Sequence, residues 1–368
     1  MISVFGSQVG TEEIEAVKAV MQLQWMGFGK KVDEFEAAYS AKYNINNFAL
    51  VDSGSNALFM ATHLLDLPKG SDVIVPSFTW VSCAQAVLLA GHNPVFCDVD
   101  ISTMNATKET ISDALTGNTK AVMIVHYAGL PVEMDDILTL GLPVIEDAAH
   151  AVASRYKGSA CGNIGTVGIF SYDAVKNLTV GEGGGIASPR RELIDRAKTL
   201  RYCGIGKSGF DSAQSNQTGR WWEYNISEPF IKMLPTNIAA SIGLEQLKKI
   251  DHLQDRRKYI WTEYSNAFRS NDDITVPCDA PEYASHSYFT YCIRVPKRDA
   301  LARYLLEKGI YTTLRYHPLH LNPIYGQTER RLVNSETLNE DALSIPIHPR
   351  LTDEEVGTVI NAIHQFFK

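Results

Sequence analysis

The hydrophobic positions follow two different spacings along the first half of the chain. Residues 12–21 and 31–43 carry apolar side chains three and four positions apart, which predicts two helices joined by a glycine-rich segment. After residue 47, short continuous apolar runs alternate with stretches of helical spacing. The predicted strands are 48–51, 72–75, 94–97, 121–125 and 143–145, and the predicted helices between them are 56–65 and 81–90. This alternation predicts an α/β fold with a mostly parallel central sheet wrapped by helices.

The second half of the chain has a different pattern of hydrophobic residues. Residues 164–171 and 183–188 are short, glycine-rich runs typical of strands joined by tight turns, and a long helix is predicted over 237–268. After it come a predicted strand (288–295), a helix (298–308), a strand (311–316) and a closing helix that Thr352 caps, with Glu355 at capping-box spacing. We therefore expect a large domain over residues 1–240. Residues 241–368 would form the connecting helix and a smaller C-terminal α/β domain.

Composition and charge exclude several classes of protein. The chain has 368 residues, of which 45% are hydrophobic and 21% charged, as in ordinary globular proteins. Its net charge of −8 and the lack of a Lys/Arg run argue against nucleic-acid binding. The long uncharged stretch 75–96 contains too many polar residues for a membrane span, and the N-terminus has acids where a signal peptide has bases. Six scattered cysteines without a C-x-x-C motif are typical of reduced thiols in a cytoplasmic protein.

Candidate binding residues follow the predicted strands, because ligands of open α/β sheets bind beyond the carboxyl ends of the strands. After strand 48–51, the small polar residues 52–57 lead into a helix, whose free backbone N–H groups could bind a phosphate. Ordinary helix capping would use the same residue types. Trp80 follows strand 72–75 and could stack on a flat cofactor or belong to the core.

Two acids and a lysine are further candidates. Glu146 and Asp147 directly follow a buried strand, which requires either an ordinary salt bridge or a protonated ring nitrogen facing one carboxylate. Lys176 lies in an uncharged stretch before a glycine-rich turn, and a buried lysine has a lowered pKa and is a competent amine nucleophile. A phosphate site, an aromatic ring, a carboxylate and a lysine amine together predict pyridoxal 5′-phosphate held as a Schiff base.

Several longer motifs are shared with a known family. They are Gly27-Phe28-Gly29, Ser53-Gly54-Ser55-Asn56-Ala57-Leu58, Pro76-Ser77-Phe78-Thr79-Trp80, Val125-His126-Tyr127-Ala128-Gly129, Glu146-Asp147-Ala148-Ala149-His150, Phe170-Ser171-Tyr172 with Lys176-Asn177, Gly181-Glu182-Gly183-Gly184, and Tyr316-His317-Pro318-Leu319-His320. On these motifs the chain resembles, nearly end to end, the DegT/DnrJ/EryC1/StrS family of pyridoxal phosphate-dependent sugar aminotransferases, which have fold type I.

The resemblance implies roles for individual residues. Lys176 would carry the cofactor as a Schiff base and move the proton during transamination, and Asp147 would pair with the pyridinium nitrogen. His150 would lie beside the ring hydroxyl, where the family usually has Gln, and Trp80 would stack on the ring. The expected phosphate ligands are Gly54, Ser55 and Ser171.

The chain departs from the family pattern in two places. The family usually supplies an Asn to the phosphate site of the other subunit, from a segment that here reads as residues 229–235 without Asn. Asn225 or Lys232 could replace it, or no residue does. Arg315 stands where His is common and would either contact an anionic part of the substrate or be a surface arginine.

Two further residues are candidates for substrate binding. Arg220 ends a long polar loop, 204–222, beside Trp221 and Trp222. The loop would cross to the neighbouring subunit and place Arg220 near the substrate phosphates, or else pack on its own domain. His320, at the end of the motif that begins at Tyr316, is the other candidate.

The resemblance also implies a reaction. Members that replace the lysine by His dehydrate the sugar, so Lys176 favours amination. L-Glutamate would convert the cofactor to pyridoxamine 5′-phosphate and leave as 2-oxoglutarate, and a nucleotide-linked keto-sugar would then be aminated. We expect amination at C4 of a dTDP-4-keto-6-deoxyhexose for a surface polysaccharide such as O-antigen, by a cytoplasmic homodimer with composite sites and no metal. The alternatives are amination at C3, a GDP- or UDP-linked substrate, or a non-catalytic sensor that binds the cofactor.

Overall fold

A computed structural model describes residues 1–206, 220 and 222–368. The α-helices among these residues are α1 (Thr11–Gln22), α2 (Lys30–Tyr43), α3 (Gly54–Leu64), α4 (Ser82–Leu89), α5 (Lys108–Ser112), α6 (Met134–Leu138), α7 (Arg191–Leu200), α8 (Asn237–Phe268), α9 (Arg298–Glu307), α10 (Val333–Asp341) and α11 (Asp353–Phe366). The strands are β1 (Phe48–Val51), β2 (Asp72–Pro76), β3 (Asn93–Cys97), β4 (Thr119–Val125), β5 (Val144–Asp147), β6 (Arg155–Tyr156), β7 (Ser159–Ala160), β8 (Val167–Ser171), β9 (Gly184–Ala187), β10 (Ala284–Ser285), β11 (Tyr291–Arg294) and β12 (Ala342–Ile345).

The central sheet has seven strands in the order β1-β9-β8-β5-β4-β2-β3. The five strands from β8 to β3 pair in parallel, whereas β9 runs antiparallel to both of its neighbours, β8 and β1. The prediction of a mostly parallel sheet wrapped by helices is confirmed. Because the parallel strands end at the same edge, the loops that follow β2, β4, β5 and β8 meet there.

The sheet is covered by helices on both faces. Successive side chains of a strand point to opposite faces. In β4, Val122 and Ile124 join a core formed with α2 and α8, and Met123 joins a second core formed with α3, α4 and α7. Burial on both faces explains why the predicted strands read as continuous apolar runs.

A third core lies in the C-terminal part of the chain. It is formed by the C-terminal half of α8 together with α9, α11, β11 and β12, and Ile2 packs against it. The helix α8 contributes to this core and to the core beside α2, and so connects the two. The predicted domain division at residue 240 falls just after the start of α8, and we retain it as a proposal.

Two predictions about this C-terminal part need correction. The predicted strand 311–316 is wrong, since only Thr313 forms a bridge, with Ser344 of β12. The chain beyond Thr313 turns toward the ligand edge of the sheet, where Arg315 and Tyr316 line a cavity. The predicted strand 288–295 is shorter than expected, and β12, which pairs with it, was not predicted. The capping box of Thr352 and Glu355 at α11 is confirmed.

Within the described ranges, no helix combines the length and the apolar character that a bilayer crossing requires.

Candidate active site

A cavity of about 410 Å³ lies at the carboxyl edge of the sheet. The loops after β1, β2, β5 and β8 form one side of it, and the segment 313–316 forms the other. It brings together eight of the predicted site residues, namely Gly54, Ser55, Trp80, Asp147, His150, Ser171, Lys176 and Arg315. Residues far apart in sequence thus converge on one space, as the strand-end argument predicts.

The start of α3 forms a cradle at one end of the cavity. Ser53 caps the helix, because its side chain accepts a hydrogen bond from the backbone N–H of Asn56. Gly54 follows, and a Cβ at this position would lie 2.8 Å from Cβ of Ser171, so only glycine allows so close an approach. The hydroxyl of Ser55 lies 2.7 Å from that of Ser82. Free N–H groups, the helix dipole and several hydroxyls suit a phosphate group.

Of the neighbouring acids Glu146 and Asp147, Asp147 is the one that faces the cavity. It ends β5 and is only 4% exposed. One carboxylate oxygen accepts a hydrogen bond of 2.9 Å from the backbone N–H of Ala149, and the other accepts one of 3.1 Å from the thiol of Cys83. Burial, and then the nearby Asp147, raise the pKa of the Cys83 thiol well above its usual range, so this sulfur keeps its proton and donates.

Glu146 points away from the cavity, because neighbouring residues of a strand face opposite sides. Its carboxylate accepts hydrogen bonds from the backbone N–H groups of Gly162, Ile164 and Gly165 and from Nε2 of the fully buried His126, at 2.5–3.0 Å. The Nδ1 atom of His126 accepts from Val132 N, which places the ring proton on Nε2. The sequence could not show which of these two acids faces a ligand. In the structure their environments differ, and of the two only Asp147 faces the cavity.

Lys176 lies in the loop after β8 and lines the same cavity as Asp147. It is partly buried, and its Nζ lies 4.7 Å from the centroid of the Phe289 ring. Burial, and then the positive charge of Arg315, lower the pKa of Lys176 from its ordinary value to about 8. A substantial fraction of this amine is therefore neutral near physiological pH, as a nucleophile or a proton acceptor requires.

His150 and Trp80 are placed to contact a flat ligand. The His150 ring stacks on Phe289 at 4.1 Å, and its Nε2 lies 3.1 Å from the hydroxyl of Tyr316. Its Nδ1 is buried and has no partner within the described residues. Burial, together with Lys176 and Arg315, lowers the pKa of His150 well below its usual range, so the ring is neutral. Trp80 lines the cavity and is 53% exposed, so it is not the plain core residue of the alternative interpretation.

Three predicted residues lie outside the cavity. His320 is fully buried, with Nδ1 2.7 Å from the Ser77 hydroxyl and Nε2 3.4 Å from Glu336, so its contacts are structural. Arg220 is exposed and pairs with Glu223, and Asn225 is also exposed. Both were predicted to act in the neighbouring subunit. Residues 207–219 and Trp221, on which part of the loop prediction rests, lie outside the described residues.

The sequence analysis missed four residues that shape the site. Cys83 lies on α4 one helical turn after Trp80, a spacing that could have indicated it. Phe5 and Tyr316 line the cavity, and Phe289 contacts Lys176 and His150. These three aromatic residues come from distant segments. Tyr316 begins one of the shared motifs, which could have indicated it, but no local pattern points to Phe5 or Phe289.

The residues present fit pyridoxal 5′-phosphate. Its phosphate suits the cradle at Gly54, which a Cβ would fill, and its protonated ring nitrogen suits the carboxylate of Asp147. The unpartnered Nδ1 of His150 can accept a hydrogen bond from the ring hydroxyl. In the described part of the chain, no group of His, Cys, Asp and Glu side chains is arranged to hold a metal ion.

Comparisons with known proteins agree with this fit. A protein from Saccharopolyspora spinosa, dTDP-4-dehydro-2,3,6-trideoxy-D-glucose 4-aminotransferase, is 38% identical over 98% of this chain and 95% of its own. The crystal structure of the aminotransferase TlmJ from Streptoalloteichus hindustanus matches with a TM-score of 0.93 and 35% identity, covering 100% of this chain and 99% of its own. The PMP form of Spr1654 from Streptococcus pneumoniae matches with a TM-score of 0.91 and 27% identity, covering 99% and 98%.

The family assignment rests on nearly the whole chain. Residues 7–364 match the model of the DegT/DnrJ/EryC1/StrS aminotransferase family. The predictions of an aminotransferase, of fold type I and of pyridoxal phosphate as the cofactor are confirmed. With the cavity geometry, the family match and the 38% identity to a curated aminotransferase in agreement, we conclude that this chain belongs to the DegT/DnrJ/EryC1/StrS aminotransferase family.

Proposed function

We propose that this aminotransferase moves an amino group from L-glutamate to C4 of a dTDP-linked 4-keto-6-deoxyhexose. The observation that carries the proposal is the pair formed by Lys176, whose pKa is lowered to about 8, and the buried Asp147, which line one cavity. Transamination requires an amine that moves the proton and a carboxylate that keeps the ring nitrogen of the cofactor protonated. The 38% identity to a dTDP-sugar 4-aminotransferase supports the nucleotide and the carbon.

Each residue of the site has a defined task. When bound, pyridoxal phosphate supplies the carbon that carries the amino group and a ring that delocalises the electrons left on proton removal. Asp147 holds a proton on the ring nitrogen, and Cys83 and Ala149 fix the orientation of its carboxylate. The Nζ of Lys176 would accept the proton from the substrate carbon that bears the amino group and would deliver it to the cofactor carbon on the other side of that nitrogen. The cradle at Gly54, Ser55 and Ser171 holds the phosphate, while Trp80 and His150 position the ring.

The active unit in this proposal is a homodimer with composite sites. The end of α1 and the joint to α2 expose four apolar side chains in the single chain. We call these residues the α1–α2 patch: Met21, Leu23, Trp25 and Met26. Exposed apolar clusters of this kind mark interaction surfaces. The exposed Arg220 and Asn225 would then belong to the neighbouring subunit's site, near the substrate and cofactor phosphates.

The product would serve glycan synthesis. A nucleotide-linked amino sugar is an activated glycosyl donor, so the reaction that consumes it is a glycosyl transfer, as for a surface polysaccharide. We also propose a cytoplasmic location. The four buried cysteines (Cys83, Cys97, Cys161, Cys292) and the two partly buried ones (Cys203, Cys278) are all free thiols, as expected in a reducing compartment.

The two half-reactions test the proposal separately. Holoenzyme mixed with L-glutamate should change its absorbance to that of bound pyridoxamine phosphate. The isolated pyridoxamine form should then aminate a dTDP-4-keto-6-deoxyhexose at C4, which NMR of the product would show. Product formation only with the UDP or GDP analogue, or at C3, would favour the alternative substrates. The absence of both half-reactions would contradict the proposal.

Lys176→Ala provides the matched control for that experiment. We expect turnover to fall by at least about 10³-fold, because the amine that moves the proton is removed. The fold should survive, since the substitution only shortens a side chain that lines the cavity. Circular dichroism and thermal melting would check the fold. A variant that still transaminates at the wild-type rate would show that another group moves the proton.

A further inference from the structure

Arg315 is a buried cation without an acidic partner in the part of the chain that the structure describes. Its side chain lines the cavity, and the residue is only 6% exposed. Its guanidinium carbon lies 4.2 Å from the Phe5 ring centroid and 4.7 Å from that of Phe289. Among the described residues, its side chain donates one hydrogen bond, to the Tyr316 hydroxyl at 3.4 Å. Aromatic faces attract a guanidinium but leave most of its N–H donors unused.

None of the three acids that line the cavity pairs with Arg315 in the described part of the chain, and two of them accept hydrogen bonds from other groups. Asp147 accepts from Ala149 and Cys83, and Asp173 accepts from the backbone N–H of Val175. Glu182, the third acid, also lines the cavity, and in the described part of the chain it forms no ion pair with Arg315. Behind the cavity lies a second buried arginine, Arg257, whose partners among the described residues are backbone carbonyls. The surroundings of Arg315 are thus short of negative charge.

An unpaired buried charge is unfavourable, and a carboxylate that binds it bidentately relieves the penalty. Arg315 is placed for such a ligand at the reacting centre. Its guanidinium and Nζ of Lys176 each lie 4.7 Å from the centroid of the same Phe289 ring. In an amino acid donor the α-carboxylate is bonded to the carbon that Lys176 deprotonates. In a nucleotide sugar, by contrast, the phosphates are separated from C4 by the sugar ring.

We propose that Arg315 binds the α-carboxylate of the amino donor. This inference rests on the proposed function, in which L-glutamate is that donor. Arg315 would orient the donor so that the hydrogen on its α-carbon faces Lys176, and it would be left without a carboxylate partner when the neutral sugar occupies the same space. It is therefore a residue for recognition of the donor, and its substitution should affect the two half-reactions unequally.

The test compares Arg315→Met with wild-type holoenzyme in single-turnover reactions. Two donors each lack one carboxylate of L-glutamate: 4-aminobutyrate lacks the α-carboxylate, and L-2-aminobutyrate lacks the distal one. We expect kcat/KM to fall by at least about tenfold for L-glutamate and for L-2-aminobutyrate, the usual effect of losing a charged hydrogen bond. With 4-aminobutyrate the variant and the wild type should react within about threefold of each other.

Two controls accompany this comparison. Arg303→Met removes an exposed arginine of α9 and should leave every rate unchanged. Binding of glutarate, which has both carboxylates but no amino group, gives a readout without turnover. By calorimetry, its Kd for the holoenzyme should rise in Arg315→Met and rise less in Arg315→Lys, which keeps the charge but loses the bidentate geometry.

The outcomes separate this inference from the proposed function. If wild-type enzyme does not react with L-glutamate at all, the proposed donor is wrong. If wild-type enzyme reacts and Arg315→Met does so equally well, the inference about Arg315 is overturned while the function stands. An equal loss with 4-aminobutyrate, or a loss confined to the sugar half-reaction, would also overturn it. The sugar half-reaction at the wild-type rate would show that the variant is folded.

Discussion

At the scale of single residues, the neighbours Glu146 and Asp147 have separate tasks. Glu146 accepts hydrogen bonds from three backbone N–H groups and from His126, all in the interior of the protein. Asp147 has two donors among the described residues and faces the cavity. The first acid therefore stabilises the loop after β5, and the second is available to the cofactor. Strand alternation alone puts two carboxylates of nearly equal chemistry in such different positions.

Isosteric amides at the two positions should have opposite effects. Asp147→Asn should lower kcat by more than about tenfold, or ~1.4 kcal/mol of barrier, because an amide does not stabilise a protonated ring nitrogen. Its free energy of unfolding should change little. Glu146→Gln should lower that free energy by about 2 kcal/mol, since its NH₂ group would face backbone N–H donors, and should leave kcat of the folded enzyme within about threefold. Urea denaturation of the apoprotein and steady-state kinetics would measure both, and the reverse pattern would exchange the roles assigned here.

The lowered pKa of Lys176 predicts how the apoprotein takes up its cofactor. Only the neutral amine attacks the cofactor aldehyde. The rate of cofactor uptake, followed by visible absorbance, should therefore rise with pH up to about 8 and level off there, well below the ordinary lysine value of 10.5. A rate that keeps rising to pH 10 would show that the pKa is not lowered.

The same pKa also affects stability. Between pH 8 and 10.5 the unfolded chain keeps a proton on Lys176 that the folded chain has released. The apoprotein should therefore gain stability with rising pH in this window, relative to Lys176→Met, which lacks the titrating group. Below pH 8 both states are protonated, and the difference between the two proteins should be constant. Chemical denaturation of both proteins at several pH values would measure it.

At the scale of elements, the contact between the start of α3 and the end of β8 sets the geometry of the phosphate cradle. The two meet at Gly54 and Ser171, where a Cβ on the glycine would lie 2.8 Å from the serine side chain. β8 belongs to the interior of the sheet and cannot shift easily. Any side chain at position 54 would therefore move the helix N-terminus away from the phosphate.

Gly54→Ala should weaken cofactor binding more than it weakens the fold. We expect Kd for pyridoxal phosphate to rise by at least about tenfold, because displaced N–H donors lose charged hydrogen bonds. Gly117→Ala is the control, since a Cβ there would meet nothing within 4 Å. Equilibrium dialysis of the apoproteins would measure the affinity. Equal affinity in the two variants would mean that α3 does not hold the phosphate.

The helices and strands also differ in how far the sequence could predict them. Helices and strands with long periodic or continuous apolar patterns, such as α8 and β4, were found because local spacing determines them. The apolar pattern of residues 311–316 predicts a strand. In the structure β12 pairs with β11, and Thr313 is the one residue of the segment that forms a bridge to β12. Histidine is a common ligand-binding residue, but the side chain of His320 forms hydrogen bonds with Ser77 and Glu336. In both cases distant residues decide the outcome.

At the scale of the whole molecule, the α1–α2 patch predicts self-association. Leu23 is 71% exposed in the single chain, and Ile324, far along the sequence, is 76% exposed. Leu23→Glu should shift the protein toward monomer at micromolar concentration and lower its activity, because a charge would be buried in the interface. Ile324→Glu should remain a dimer. Sedimentation velocity measures both, and a fully active wild-type monomer would contradict the proposed assembly.

The position of the N-terminal segment affects how the protein can be synthesised. The backbone N–H of Ile2 donates to Gly309 at 2.8 Å, and the carbonyl of Ile2 accepts from Tyr311 at 2.9 Å. Phe5 then reaches the cavity and packs against the Arg315 guanidinium. During translation the sheet can begin to form before residues 309 and 311, which bind Ile2 and lie some 300 residues later in the chain, have been synthesised. One wall of the catalytic cavity is therefore assembled from two segments that lie about 300 residues apart in the chain. A ribosome-bound nascent chain ending before residue 309 should acquire much of the fold without a complete donor site.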